Sequence, residues 1–488
     1  MSGSASISLV DEAAQAGGRP GPLVVDMDDT LLRTDTLLEA VFLLVRHSPW
    51  CLLLIPVWLL HGRANLKRRI GERAVLDVAT LPVNAPLLTW LQMQRAAGRA
   101  LHLFSAADQS VVTAVAARFG LFTTARGSDG VVNLSGAHKL AAIQAVVGDR
   151  FTYAGDSRKD LPIWRGCGSA VLVGAIEPLR AALGPNVAVE EGFPLPRPRL
   201  ATWRQALRLH QWVKNALLFV ALLLGGNMAV DLPAVLIGFV TFGLMASATY
   251  LLNDMLDLPH DRLHRSKRRR PLASGELPLR QGIVAVGVLG LLACASLVLL
   301  PAIFALAAML YLAVTLIYSA RIKQMLMLDV FTLAGLFTIR IGAGIAAVNH
   351  PLTPWLMAFS MFFFLSLACM KRYSECLMMA VEGIALAPGR AYRPTDAPWL
   401  MAMGAASGFS AMSTFFLFLV GTDSPILLYP SPRWMWLICV ILGYWICRTW
   451  ALATRGEMND DPVLFALRDR LSLVLIGAIA VLVLLARS

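Results

Sequence analysis

Hydrophobic and polar positions along this chain follow two rhythms, and the change falls near residue 200. Between 21 and 190 the apolar runs are short and end on acids or hydroxyls. Leu23-Val24-Val25 leads into Asp26-Met27-Asp28-Asp29-Thr30, and Leu101-His102-Leu103-Phe104 leads into Ser105. Phe151-Thr152-Tyr153-Ala154-Gly155 leads into Asp156-Ser157-Arg158-Lys159-Asp160, and Lys139 opens a helix before it. Runs bounded in this way predict buried strands. A carboxylate at the C-terminal end of a strand in an α/β sheet sits where ligands bind.

Beyond residue 205 the rhythm becomes nine long apolar runs, near 215–230, 233–252, 281–300, 302–320, 329–348, 355–373, 399–421, 434–454 and 471–487. They predict an all-α bundle of nine transmembrane helices. Between the two regimes, 191–204 carries Pro194, Pro196 and Pro198 and predicts a semi-extended linker. Residues 1–20 are small and polar, with Asp11 and Glu12 and no apolar core, which predicts disorder rather than a signal peptide. The chain therefore reads as multidomain, with an α/β domain over 21–190 and a membrane domain over 205–488.

Composition sharpens the membrane reading: 57% of residues are hydrophobic and only 15% charged, against about 45–50% and 25% in ordinary soluble domains. The net charge of +12 does not indicate a nucleic-acid partner, because the cations cluster in short loops between apolar runs. Lys and Arg number five in 197–214 and seven in 254–280, whereas the alternate loops hold only Arg433. That bias predicts a plasma (inner) membrane protein with its N-terminal domain in the cytoplasm and its C-terminus outside. The seven cysteines show no ligand spacing and predict buried thiols.

The second run delivers the chain into Asn253-Asp254-Met255-Leu256-Asp257-Leu258-Pro259-His260-Asp261. Acids at i, i+3 and i+7 share one face of a helix, and hard carboxylate oxygens suit Mg²⁺, which completes its shell with substrate phosphate. Lys267 and Arg270 belong to a cluster of five cations over Arg265–Arg270 that supplies phosphate-pairing donors. Pro259 tends to break a helix and so threatens the alignment of Asp261. Arg340, within an apolar run, is a functional candidate by depth alone.

The acids, Ser105 and Lys139 in this order resemble the haloacid dehalogenase superfamily of phosphatases, over roughly 20–185. The resemblance implies a Rossmann-like fold with a helical cap over about 37–80. It implies Asp26 as nucleophile, Asp28 as general acid/base, Ser105 and Lys139 as phosphate holders, and Asp26, Asp156 and Asp160 around Mg²⁺. Asp29 departs from the pattern, which commonly has Gly there. Within the cap, Leu52, Leu53, Leu54, Trp58, Leu59 and Leu60 are flanked by Arg63, Lys67, Arg68 and Arg69. This stretch suits either a piece lying on the membrane surface or a face packed inside the cap.

The membrane half resembles the UbiA superfamily of intramembrane prenyltransferases, whose first Asp-rich motif, NDxxDxxxD, matches Asn253–Asp261. Aromatic prenyltransferases of that superfamily carry a second Asp-rich motif. Here the matching segment, Tyr318-Ser319-Ala320-Arg321-Ile322-Lys323, is followed by Asp329 alone. The decaprenyl-phosphate phosphoribosyltransferase branch is the better match, through His210-Gln211-Trp212-Val213-Lys214-Asn215, Arg270-Pro271-Leu272-Ala273-Ser274-Gly275, Lys371-Arg372 with Glu375, and Asp460-Asp461-Pro462-Val463 before Asp469. Arg265 departs from that branch, which usually has Pro there.

The branch implies phosphoribosyl diphosphate held as its Mg²⁺ complex by Asp254, Asp257 and Asp261 with Asn253. Lys214, Lys267, Arg270, Lys323, Asp329, Arg340, Lys371 and Arg372 would bind substrate, and a polyprenyl phosphate lipid would be the acceptor. The attached domain would then remove the 5-phosphate of the product. Two rival readings are an aromatic polyprenyltransferase and a phosphatase-like scaffold without activity. Homo-oligomerisation is left open.

Overall fold

A computed structural model describes residues 21–185, 187–223, 228–383, 391–420, 430–458 and 461–487. The predicted disordered 1–20 and the candidate Asp460 lie outside the described residues. The chain divides into two compact units. One is Met1–Ala206 with Asp254–Ile283, and the other is Leu207–Asn253 with Val284–Ser488. The segment carrying Asp254, Asp257 and Asp261 thus groups with the N-terminal part of the chain.

The first unit is built on a six-stranded, all-parallel sheet: β1 (Leu23–Val25), β2 (Leu101–Asp108), β3 (Thr124–Ser128), β4 (Thr152–Gly155), β5 (Ser169–Gly174) and β6 (Ala188–Pro194), in the order β3-β2-β1-β4-β5-β6. All three β1 residues are fully buried. Leu23 and Val25 pack into one apolar layer and Val24 into the layer on the opposite face, as strand alternation requires. The strand order reverses at β1 and β4, which puts the crevice for a ligand at their carboxyl ends. Residues 36–80, between β1 and β2, are mostly helical: Thr36–His47, Pro49–Leu54, Ile55–Leu60, Arg63–Arg73 and Val78–Thr80.

The stretch read as a linker is partly ordered by pairing. β6 reaches Pro194 on the sheet edge, anchored by Glu190, which accepts hydrogen bonds from Arg99 (2.9 Å) and Thr152 (2.6 Å). Leu200–Ala206 then forms a helix.

In the second unit and at its junctions with the first, seven helices among the described residues are long and apolar enough to cross a membrane: Met228–Leu256, Leu279–Leu297, Ala302–Ala320, Leu328–Ala347, Pro354–Glu382, Ala397–Val420 and Met435–Thr454. The first and last of the nine apolar runs differ. The first is an eleven-residue 3₁₀ stretch, Leu209–Phe219, continued by Val220–Leu223, and the Gly225-Gly226 pair that follows has low helix propensity. The last is the eighteen-residue helix Arg470–Arg487, about 27 Å at 1.5 Å per residue. Close packing rests on small residues. A Cβ at Gly344 would lie 2.3 Å from the Leu218 carbonyl oxygen, and one at Gly404 would lie 2.2 Å from the Trp450 ring.

Candidate functional sites

In the first unit the carboxyl ends of β1 and β4 bring the acids together. Asp26 follows β1, its backbone N–H donating to the Ala154 carbonyl at 3.0 Å. Asp156 follows β4, and Asp160 stands on the short turn Arg158–Asp160, its carboxylate accepting from the Ser157 N–H and hydroxyl. One oxygen from each of Asp26, Asp156 and Asp160 lies within 4.8 Å of the others. Among the described residues no other His, Cys or acid group gathers so closely.

Lys139, on the helix Ala137–Val147, is buried and pairs with Asp26 at 2.8 Å. It also donates to the Tyr153 hydroxyl at 2.7 Å, and that hydroxyl reaches Asp160 at 3.1 Å. Ser105, in β2, is buried, and its hydroxyl accepts from the Ala107 N–H. Burial pushes the Asp156 carboxyl up to about 8, with help from the charges of Asp26 and Asp160. A divalent cation would relieve that repulsion, so the donor set fits Mg²⁺.

Asp28 accepts from the Thr36 N–H at 3.0 Å. Burial first, then Asp35, raises its pKa to about 8, which suits a group that must hold a proton near neutrality. Asp29 takes φ +56°, the left-handed conformation. That explains the preference for Gly at this position, and Asp is among the few residues that tolerate it.

Two cations here were not in the sequence reading of the site. Lys67, from helix Arg63–Arg73, donates to the Ala106 carbonyl and to Asn133; burial lowers its pKa, against the opposing charge of Asp28. Arg280 pairs with Asp35 at 2.7 Å and with Asp29 at 3.8 Å. No local signal could have found a partner 245 residues away.

The Asp-rich segment is bent by its proline. The helix ends at Leu256, Asp257 leaves helical geometry (φ −96°, ψ 5°), and Leu258–Leu263 restarts with Pro259 in its first turn. Asp254 and Asp261 nonetheless converge on one guanidinium, Arg270, at 2.9 and 2.6 Å. Asp257 turns instead to Arg46, which also donates to the Leu256 carbonyl at 3.1 Å. Arg262 makes a two-pronged pair with the buried Glu39 at 2.7 and 2.6 Å. Lys267 stands on an exposed turn.

In the second unit the predicted residues form three groups. Lys214 and Lys371 both donate to Asp461 Oδ2 at 2.9 Å. Lys214 is the only charged group among the described residues lining an apolar cavity of about 480 Å³, whose walls include Phe359, Phe363, Trp445 and Ile479. Arg372 and Asp329 are sealed together at 2.5 and 3.1 Å, with the Tyr318 hydroxyl on Asp329 and Glu375 on Arg372. Arg340, predicted to meet phosphate, spends donors on Asn215 (3.1 Å), Tyr311 (2.7 Å) and the Leu336 carbonyl (3.0 Å). The buried Asn215 Nδ2 has no hydrogen-bond partner among the described residues, which leaves its two amide N–H donors for a ligand. Asn253 lies on the last turns of Met228–Leu256, and Lys323 is half-buried on the turn Ile322–Gln324. Asp469 is held by Arg448 at 2.7 Å.

The profile of the UbiA prenyltransferase family matches residues 216–476. The Sinorhizobium fredii protein y4nM, itself uncharacterized, is 39% identical over 456 residues, 92% of this chain and 88% of that one. Nodulation protein NoeC of Azorhizobium caulinodans is 36% identical over 57% of this chain and 91% of its own. A decaprenyl-phosphate phosphoribosyltransferase of Mycobacterium tuberculosis is 30% identical over 54% of this chain and 87% of its own.

Proposed function

The chain belongs to the UbiA prenyltransferase family, and from that premise we propose that it transfers the 5-phosphoribosyl group of phosphoribosyl diphosphate to a polyprenyl phosphate. The observation that carries this reading is the polar end of the bundle's apolar cavity. Two lysines sharing one carboxylate leave a net positive charge beside a wall able to take a prenyl chain. That combination matches a lipid monophosphate, and relatives named for such a transfer support it. An aromatic polyprenyltransferase is disfavoured because Asp329 is locked to Arg372 rather than part of a second acidic cluster.

In the reaction a phosphate oxygen of the lipid attacks C1 of the ribose, the bond from C1 to the diphosphate oxygen breaks, and diphosphate leaves. The acceptor is already an anion, so no general base is required. Asp254 and Asp261 would hold Mg²⁺, joined by Asp257 once it leaves Arg46, and the ion would supply neutralisation of the leaving diphosphate when bound. Arg270, positioned on two of these acids, would move onto phosphate oxygens as substrate arrives. Asn253, Lys214, Lys267, Lys323, Arg340, Lys371 and Arg372 would bind or position the substrates. Replacing Asp254 by Asn should abolish Mg²⁺-dependent transfer in a protein that still folds; wild-type turnover in that variant would remove the metal assignment.

We further propose that the N-terminal domain is a haloacid dehalogenase-type phosphomonoesterase acting on the product. The strand order, the acids at the switch point and the Lys139–Asp26 pair support it. Asp26 would attack phosphorus, and Asp28 would give its proton to the departing ribose oxygen and later take one from water. Ser105 and Lys139 would hold the phosphate. On this reading the Leu209–Phe219 and Arg470–Arg487 segments complete nine helices in the plasma membrane, with the N-terminal domain cytoplasmic and the C-terminus outside.

A further inference from the structure

The segment Pro49–Leu60 is unlike the rest of its domain. Trp50 is 80% exposed, Leu53 73% and Leu60 86%, and Leu52, Leu54 and Leu59 are also open to solvent. One side of the segment is satisfied: Trp58 packs with Ala40, Leu44 and Ile70, and the Arg73 guanidinium lies 4.9 Å from its ring centroid. The other side presents an apolar face that none of the described residues covers. A face of this kind marks an interaction surface.

Its surroundings identify the occupant. The preceding helix, Thr36–His47, is clamped at two points to the chain that emerges from the membrane-crossing helix Met228–Leu256. Arg46 donates to the carbonyl of Leu256, the final residue of that helix, and pairs with Asp257. Glu39 holds Arg262. The helix that precedes the apolar face is therefore fixed to the chain that continues from Leu256. Arg63, Arg68, Arg69 and Arg73 follow it on an exposed helix surface, with Glu72 pairing Arg68 and Arg69. Apolar and aromatic side chains followed by arginines are the chemistry of an element lying in the headgroup layer of an anionic leaflet.

We propose that Pro49–Leu60 is an in-plane membrane anchor, with Trp50, Leu53 and Leu60 immersed in the leaflet. The face sits ~5–10 Å into the headgroup and acyl boundary. The anchor holds the N-terminal domain against the membrane surface, and it does not depend on which substrate that domain takes.

The test uses the full chain in nanodiscs of phosphatidylethanolamine and phosphatidylglycerol. A diazirine-bearing amino acid is placed at Leu53, at Leu60 or, as control, at Val131, which is 84% exposed on the same domain outside the patch. After illumination, phospholipid adducts are counted by mass spectrometry. The proposal expects phospholipid adducts at 53 and 60 many times more abundant than at 131, lost when lipid is replaced by detergent. Equal yields at all three positions, or adducts at 53 and 60 to a second copy of the chain in place of lipid, would overturn it.

Discussion

Lys214→Met probes the lipid headgroup site with the least disturbance. Methionine keeps the length and the apolar stem of lysine, so the cavity wall is preserved. Asp461 stays neutralised, because Lys371 reaches the same oxygen at the same 2.9 Å. Burial alone would raise the Asp461 carboxyl, but Lys371 and Lys214 outweigh it and hold it well below the usual carboxylate range. The trio therefore carries one net positive charge in the wild type and none in the variant. What is lost is one charge-assisted hydrogen bond to phosphate, ~1.5–3 kcal/mol, or about tenfold to a hundredfold in affinity. With labelled phosphoribosyl diphosphate in excess, KM for the polyprenyl phosphate should rise by that factor. KM for the sugar diphosphate and the unfolding temperature should stay where they were. An unchanged KM for the lipid would refute the placement of its headgroup at Lys214.

Three further outcomes follow from the geometry. Asp26→Asn should make the full chain accumulate the lipid product with its 5-phosphate still attached, resolved by thin-layer chromatography; the wild-type product from this variant would break the link between the two activities. Mg²⁺ binding at Asp26, Asp156 and Asp160 should tighten as pH rises between about 6 and 8, because the ion displaces a bound proton. Asp156 is raised to about 8 from an ordinary 3.8, so its contribution to metal-free stability is whole below the lower value and drains away as pH climbs to the higher; the thermal shift given by Mg²⁺ at several pH values reads this directly. Glu39→Gln strips the buried Arg262 of its partner, a loss of ~3–5 kcal/mol for a sealed pair, and should accelerate tryptic cleavage within 262–280, whereas unchanged cleavage would mean that the pair does not hold the segment in place.

What the sequence made legible was local. Asp26 and Asp28, or Asp156 and Asp160, announce themselves by standing directly after short apolar strands, and parallel pairing of β1 with β4 then brings the two sets together. The apolar runs declared themselves by length. Arg340 was legible as a costly buried cation but not as one whose guanidinium is taken by Tyr311, Asn215 and a carbonyl. Helical periodicity placed Asp254, Asp257 and Asp261 on one face. The break at Asp257 instead sends that side chain to Arg46 and leaves the outer two on Arg270. Arg46, Glu39 and Arg280 could not be read at all, since each finds its partner more than 200 residues away. Periodicity reports the face of a helix; it carries no information on which distant charge that face meets.

The most direct test is a single incubation of the purified full chain with Mg²⁺, ribose-labelled phosphoribosyl diphosphate and a polyprenyl monophosphate, followed by extraction into organic solvent. The account predicts Mg²⁺-dependent label in the lipid phase with release of one diphosphate per transfer. Label confined to the aqueous phase, in a preparation that instead joins a prenyl diphosphate to an aromatic acceptor, would contradict it.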